Sequence, residues 1–519
     1  MPKKEPENPY ESDVCLILEG TYPYVRGGVS SWVHSLILGL PEFSFSILLI
    51  LPDRKERKMR YEVPKNVRHL HSVYLQDPRL FKKKKFQKTL GSEKYQDFWE
   101  MHTSMPFVGQ NKNPETVNCP AFSQITQNLD QKKWSPSSLL FSTKSWDLML
   151  RLYELRSPDV SFTDYYWTWR YLHAGIFSVM EKPLPRCRLY HTISTGYAGL
   201  IAARAQILTG SPMLVTEHGI YSKERKIEIS RASWIYEKSR ERFMAEKEMG
   251  AFKQIWINAF RVMSAFCYEQ SSEIITLFEG NQRLQMEDGA PPGKLKVIPN
   301  GVEYDRISAL PRESRSHATI GFAGRVVSIK DVKTFIRAIR LIVNVHPDTK
   351  ILIMGPTEEE EDYYEECVQL VKNLDLEKCI EFTGNVNLME YYPKLSVLVL
   401  TSISEGQPLV ILEAQCLGIP VVASDVGACR ELLEGREEDA QLGHSGIVTG
   451  LADPEGTALA VISILGDPKK ARKMGEAGKR RMKQFYDMPL LFKQYQKLYT
   501  QYCDRSRSAA AGSHQVSRE

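Results

Sequence analysis

The chain has 519 residues, 42% of them hydrophobic and 25% charged, with a formal net charge of +5. That length exceeds one ordinary hydrophobic core and predicts two domains or more. The mild basic balance suits an anionic small ligand, and no interleaving of aromatic and basic residues argues for nucleic acid.

Nine cysteines, an odd number without a C-x-x-C pair, fit a reduced cytoplasmic chain. The polar start Met1-Pro-Lys-Lys-Glu-Pro-Glu-Asn8 lacks the apolar stretch of a signal peptide. The longest apolar run, around Phe43 to Leu51, is too short to span a bilayer. A soluble protein is expected, with peripheral attachment at an inner membrane left open.

Residues 1–12 read as disordered. Val14-Cys-Leu-Ile-Leu-Glu19 reads as a strand buried on both faces. The loop from Gly20 to Gly28 leads into a helix beginning at Val29, and Phe45-Ser-Ile-Leu-Leu-Ile50 forms a second strand. This opening starts a doubly wound sheet. Residues 53–185 break the rhythm and read as a largely helical insertion, rich in Trp, Phe and Leu. Its basic cluster Lys82-Lys-Lys-Lys85 is either a solvated face or a contact for acidic headgroups or a partner.

Strands resume at Arg188–Thr192 and Met213–Glu217, with a helix over Gly196–Ala205 between them. Residues 223–268 are charged and periodic, hence helical. Strands at Glu273–Leu277 and Lys296–Pro299 close a first domain spanning 13–311, and the polar Arg312–His317 forms a linker. The second domain, 318–485, places strands at Thr319–Ala323, Lys350–Met354, Ile380–Thr383, Val397–Leu400 and Val421–Ser424. Helices such as Asp331–Val345 and Glu359–Asn373 alternate with them. Residues 468–503 read as helical, with 486–503 crossing back to the first domain and 504–519 as a disordered tail. The expected class is α/β: two Rossmann-like, doubly wound parallel-sheet domains facing a cleft, with the helical insertion in the first.

Ligands in such sheets bind at the carboxyl ends of the strands. There, Ser402-Ile-Ser-Glu405-Gly-Gln-Pro-Leu-Val-Ile-Leu-Glu413 places two glutamates with seven residues between them. Pro408 suits the first turn of a helix, and Gly418 with Pro420 suits its end. Gly324-Arg325-Val-Val-Ser-Ile-Lys330 follows the first strand of the same sheet, where a guanidinium and an ammonium suit a diphosphate. Gly27 and Gly28 open the first helix, where backbone can approach a phosphate or form a tight turn. His218 ends the strand Met213–Glu217; His191 is similar in kind and carries less weight. No D-x-D, zinc spacing, P-loop or G-x-S-x-G occurs, so no metal or cofactor is expected.

Taken together, Glu405 and Glu413, the Gly324–Arg325–Lys330 element, Ile298-Pro-Asn-Gly-Val302 and Ser424-Asp-Val-Gly-Ala-Cys-Arg-Glu431 resemble the GT-B glycosyltransferases of the retaining family GT4. Ala428 departs from the glycine frequent there. Glu19–Val33, Tyr190–Gly199 and Thr216–Tyr221 closely resemble the PelF subfamily, cytosolic glycosyltransferases of bacterial Pel exopolysaccharide synthesis.

The resemblance implies a UDP-sugar donor, a polysaccharide acceptor and docking to inner-membrane complex components. It implies that Arg325 and Lys330 hold the donor diphosphate, Glu413 the ribose and Glu405 the sugar. Gly406, Leu409 and Val410 lie near the phosphates, and Asn385 and Val386 near the base. Gly27 and Gly28 line the site, and His218 helps position the sugar. The competing expectations are a sugar-nucleotide epimerase of the same fold and a non-catalytic scaffold of an exopolysaccharide complex.

Overall fold

Thirteen strands form among the described residues, and the apolar runs set where. The computed structural model describes residues 10–25, 27–75, 119–156, 160–231, 250–313 and 317–516. The Lys82–Lys85 cluster lies outside them. The chain divides into two compact units: one runs to Val297 and resumes at Tyr495, the other is Ile298–Gln494. Among the described residues no helix is long and apolar enough to cross a membrane.

The first unit holds a seven-stranded parallel sheet in the order β3-β2-β1-β4-β5-β6-β7. Its strands are β1 (Ser12–Glu19), β2 (Phe45–Leu51), β3 (Val67–Tyr74), β4 (Cys187–Thr192), β5 (Met213–Glu217), β6 (Glu273–Thr276) and β7 (Leu295–Val297). The centre is dry: Val14, Cys15, Leu16 and Ile17 are fully buried, and β2 is buried throughout. Parallel strands covered on both faces need such unbroken apolar runs.

β3 was not expected within the insertion. Its sequence, Val67-Arg-His-Leu-His-Ser-Val-Tyr74, is polar and partly exposed because it is an edge strand. Helices Cys119–Asp130, Pro136–Phe141, Thr143–Arg156 and Phe162–Met180 make up the rest of the described insertion. Their Phe122, Met149, Trp169 and Phe177 join one apolar cluster with Tyr190 and Phe266.

The last helix, Met488–Val516, completes this unit. Tyr495, Tyr499, Tyr502 and Ser506 recur at helical spacing and reach the sheet. Tyr495 Oη lies 2.9 Å from Thr216 Oγ1, and Tyr499 Oη 2.7 Å from His191 Nδ1. Tyr502 Oη donates to Glu273, and Ser506 Oγ to the Arg188 carbonyl. The helix therefore continues past 503, where a disordered tail was expected.

The second unit holds a six-stranded parallel sheet in the order β10-β9-β8-β11-β12-β13. Its strands are β8 (Thr319–Ala323), β9 (Lys350–Met354), β10 (Ile380–Gly384), β11 (Val397–Leu400), β12 (Val421–Ser424) and β13 (Gly446–Thr449). The four-residue β13 was not expected; it pairs in parallel with β12 at the sheet edge. Helix Val332–Val345 buries Val332, Phe335, Ile336, Ile339 and Ile342 along one face. Asp331 caps it, accepting from the Thr334 amide.

Residues 298–311, read above as part of the first domain, pack with this unit. The helical stretch 468–503 is two helices, Pro468–Phe485 and Met488–Val516, which separate beside the 485/486 boundary read above. They break where Val302 bridges Asp487: Val302 donates to the Tyr486 carbonyl and accepts from the Met488 amide. Part of the expected linker, 314–316, lies outside the described residues. Arg312 is not free linker, because it donates to the Leu417 and Leu395 carbonyls.

Tyr499→Phe leaves His191 Nδ1 unpartnered in a dry site. It should lower stability by about 1–3 kcal/mol, read as a drop in the denaturant midpoint.

Candidate functional site

In the second unit the strand exits of β8, β9 and β11 converge. Gly324 N donates to the Met354 carbonyl, and Val326 N to the Pro356 carbonyl, so the loops after β8 and β9 run side by side. Gly355, at φ +154°, is required here: a Cβ would stand 2.0 Å from Gly324 O. Val326 and Val327 are buried and anchor the loop, while Arg325 between Gly324 and Val326 is exposed.

Lys330 and Glu405 meet across two loops. Nζ lies 2.5 Å from Oε1, with the two side chains 18% and 10% exposed. Ser402 Oγ donates to the same Oε1 at 2.6 Å. The loops are tied by Ile403 N donating to Ile329 O and by Thr401 Oγ1 donating to Asp331 O. The Ile298–Val302 stretch also has a job: Asn300 N donates to Gln407 Oε1 at 2.6 Å.

On its other side the Glu405 loop is closed by Gly427. At φ +55°, a Cβ there would stand 2.4 Å from Glu405 O and 2.3 Å from Gly406 O. Ala428 N donates to Gly406 O at 2.8 Å. Ala428 itself has φ −84°, so the alanine that departs from the family pattern is conformationally ordinary.

The helix after this loop runs Leu409–Cys416, with Pro408 as its N-cap rather than its first helical residue. Leu409 and Val410 are half-buried in its first turn. Glu413 is also partly buried and accepts from Tyr392 Oη at 2.7 Å. Burial raises its carboxyl above the usual range, and the Tyr392 bond and Arg306 hold it back. Gly418 follows in the left-handed region, as expected of a helix end. Asn385 is exposed and Val386 half-buried just beyond β10.

Arg325 does not join Lys330 and Glu405. Its Nη1 contacts both carboxylate oxygens of Glu359, 2.5 Å from Oε2.

In the first unit, Gly27 is extended, at φ 167°, and Gly28 begins the helix Gly28–Gly39. A Cβ at either would meet nothing within 4 Å. Neither a tight turn nor a neighbouring atom requires glycine at this exposed helix start. His218, at the end of β5, packs edge-on against Trp32 with ring centroids 4.7 Å apart. Its Nε2 is buried and has no hydrogen-bond partner among the described residues, and the same holds for Trp32 Nε1. Burial lowers the His218 pKa to about 4. His191 is structural: Tyr499 and Thr216 bind its two nitrogens, and burial lowers it to about 3.

Sequence reasoning missed several partners. Ser402 and Asn300 stood in the quoted stretches without a role. Tyr392 carried no signal at all. Glu217, beside His218, is buried and accepts from Tyr268 Oη, Gln285 Nε2 and the Tyr221 amide. Burial pushes it up to about 7 despite those donors.

The histidine and the glutamate act oppositely on stability. Between about pH 4 and 6.5 the unfolded chain protonates His218 and the folded chain does not. Its contribution is complete above 6.5 and is lost as pH falls. Glu217 keeps its proton in the folded chain up to about 7, so stability falls as pH rises from 4.5 to 7. His218→Gln should remove about 1.4 kcal/mol per pH unit from the slope of unfolding free energy between roughly pH 4.5 and 6, measured by denaturation across pH. Gly427→Ala should destabilise by about 1–3 kcal/mol through backbone strain, whereas Ala428→Gly should move the denaturant midpoint far less.

Known proteins agree with this architecture. The family model described as "Glycosyl transferases group 1" matches residues 307–481. A D-inositol 3-phosphate glycosyltransferase of Kineococcus radiotolerans is 29% identical over 218 residues, covering 38% of this chain and 49% of that protein. An N-acetyl-alpha-D-glucosaminyl L-malate synthase of Bacillus anthracis is 29% identical over 172 residues, covering 33% and 42%. The chain thus spans about half the length of the relatives it matches. Among solved structures, Anabaena HepE in complex with UDP aligns with a TM-score of 0.58 at 14% identity, covering 94% of this chain and all of that one. Sucrose-phosphate synthase of Thermosynechococcus elongatus aligns with a TM-score of 0.58 at 15% identity, covering 94% and 98%. At these identities the likeness is one of fold, and the fold is GT-B. A second family model, described as "Domain of unknown function (DUF3492)", matches residues 12–293, more than half of the chain, and to that family the chain belongs.

Proposed function

We propose that the protein is a retaining glycosyltransferase that moves a hexose or N-acetylhexosamine from a UDP-sugar onto a growing polysaccharide. The observation that carries this is the Lys330–Glu405–Ser402 cluster at the carboxyl edge of the second sheet, with Glu413 on the helix that follows. Such an edge is where α/β sheets bind ligands. The group 1 glycosyltransferase match covers the same residues, and HepE, a protein of this fold, was solved with UDP bound.

In this reading Lys330 and Arg325 hold the donor diphosphate and Glu405 the sugar hydroxyls. Glu413 holds the ribose, and Gly406, Leu409 and Val410 lie against the phosphates. Asn385 and Val386 lie near the base. In the first unit, His218, kept neutral by burial, has an Nε2 without a hydrogen-bond partner among the described residues that suits a sugar hydroxyl, and Gly27 and Gly28 leave backbone open at their helix start.

The anomeric carbon–oxygen bond to the diphosphate breaks and UDP departs. The acceptor oxygen bonds the same face of that carbon, and its proton passes to the departing phosphate oxygen. The protein then supplies positioning and charge stabilisation rather than a general base. Charge on the diphosphate is offset by Arg325 and Lys330, so no metal is needed. The stretches Glu19–Val33, Tyr190–Gly199 and Thr216–Tyr221 support a PelF-type role in exopolysaccharide synthesis, with docking to inner-membrane components.

A panel of nucleotide sugars, read by UDP release with and without polysaccharide acceptor, tests the reading. Lys330→Ala and Glu405→Ala should each lower transfer by at least about a hundredfold, the scale of one lost charge-stabilising group, while circular dichroism stays native. Turnover should survive chelation of divalent cations. Near-normal transfer by either variant refutes the assignment.

A further inference from the structure

After β9 the chain carries five consecutive acids, Glu358-Glu359-Glu360-Glu361-Asp362. They stand at the strand edge where an anionic donor is placed above, so their charge opposes it. Most have local partners. Glu360 accepts from the Ser328 amide at 2.8 Å and from Ser328 Oγ at 3.3 Å, which docks the acidic run onto the Gly324–Lys330 loop. Glu361 and Asp362 lie in the first turn of helix Glu361–Asn373, where carboxylates suit the helix dipole. Glu359 instead lies on Arg325, with both carboxylate oxygens against Nη1.

Each cation of the Gly-Arg-x4-Lys element is thus held by a carboxylate of the chain itself. The two pairs differ in setting. Lys330 and Glu405 are largely buried and shared with Ser402, whereas Arg325 and Glu359 are 49% and 53% exposed. An exposed pair opens at small cost.

We infer that Glu359 is a donor-affinity-determining residue: it pairs with Arg325, and the donor's diphosphate must take its place there. The inference rests on the donor site proposed above. Binding then requires the diphosphate to displace one carboxylate and to tolerate its nearby charge. Removing that charge frees Arg325 and strengthens binding.

The test is UDP titration by calorimetry of the full chain, its Glu359→Gln variant and its Glu361→Gln variant. The last loses the same charge from the same run without touching Arg325. Glu359→Gln should bind UDP about twofold to fivefold more tightly, the scale of one exposed ion pair, and Glu361→Gln should match the unmodified chain. The gain should shrink at about 1 M salt, where the screening length is about 3 Å. Equal or weaker UDP binding by Glu359→Gln overturns the inference, and so does an equal gain in both variants. If neither the unmodified chain nor Glu359→Gln binds UDP, the donor site itself is wrong and the inference falls with it.

Discussion

The ion pair between Lys330 and Glu405 is the constraint on which the candidate site depends. Two nearly buried charges of opposite sign are stable only when their geometry is fixed. The loops that carry them are accordingly tied at several points, by Ile403 to Ile329, Thr401 to Asp331 and Asn300 to Gln407. Gly427 then leaves no room between its own backbone and the Glu405 carbonyl. The glycine, the apolar anchors Val326 and Val327 and the capped helix beginning at Val332 all serve one distance.

Electrostatically, the two units handle buried charge differently. In the second, a carboxylate answers each cation at the strand edge, and the fully buried Arg481 is met by Asp439 at 2.7 Å. In the first, β4 and β5 carry groups that burial drives to neutrality: His191, His218 and Glu217. Neutral groups can hydrogen-bond in dry surroundings without the cost of an unmatched charge. His218 differs from His191 in that its Nε2 has no hydrogen-bond partner among the described residues, whereas both ring nitrogens of His191 are bound.

The parallel core was legible in the sequence because strands covered on both faces must be continuously apolar. β1, β2, β8, β9, β11 and β12 were placed to within a residue or two for that reason. β3 and β13 were not, because these edge strands escape the requirement: one is polar and the other is only partly buried. The helix break at Tyr486–Asp487 falls beside the 485/486 boundary read from the sequence, but its cause, a bridge to Val302 nearly two hundred residues earlier, was not legible. In the site, the Lys330 and Glu405 positions could be read from strand-end spacing. The Glu359 contact could not, because a charge run in sequence does not say which member meets which cation. Nor could Tyr392 be found as the partner of Glu413, since it arrives from a different strand exit.

The first unit is discontinuous in the chain: it stops at Val297 and is finished by residues from Tyr495 onward. Its sheet includes Thr216 and His191, whose buried polar atoms are satisfied by tyrosines of that last helix. A ribosome delivers those tyrosines only after the whole second unit has been made. The half of the protein that is synthesised first is therefore completed last. The second unit, continuous from Ile298 to Gln494, can close its own core while its neighbour still waits for a covering helix.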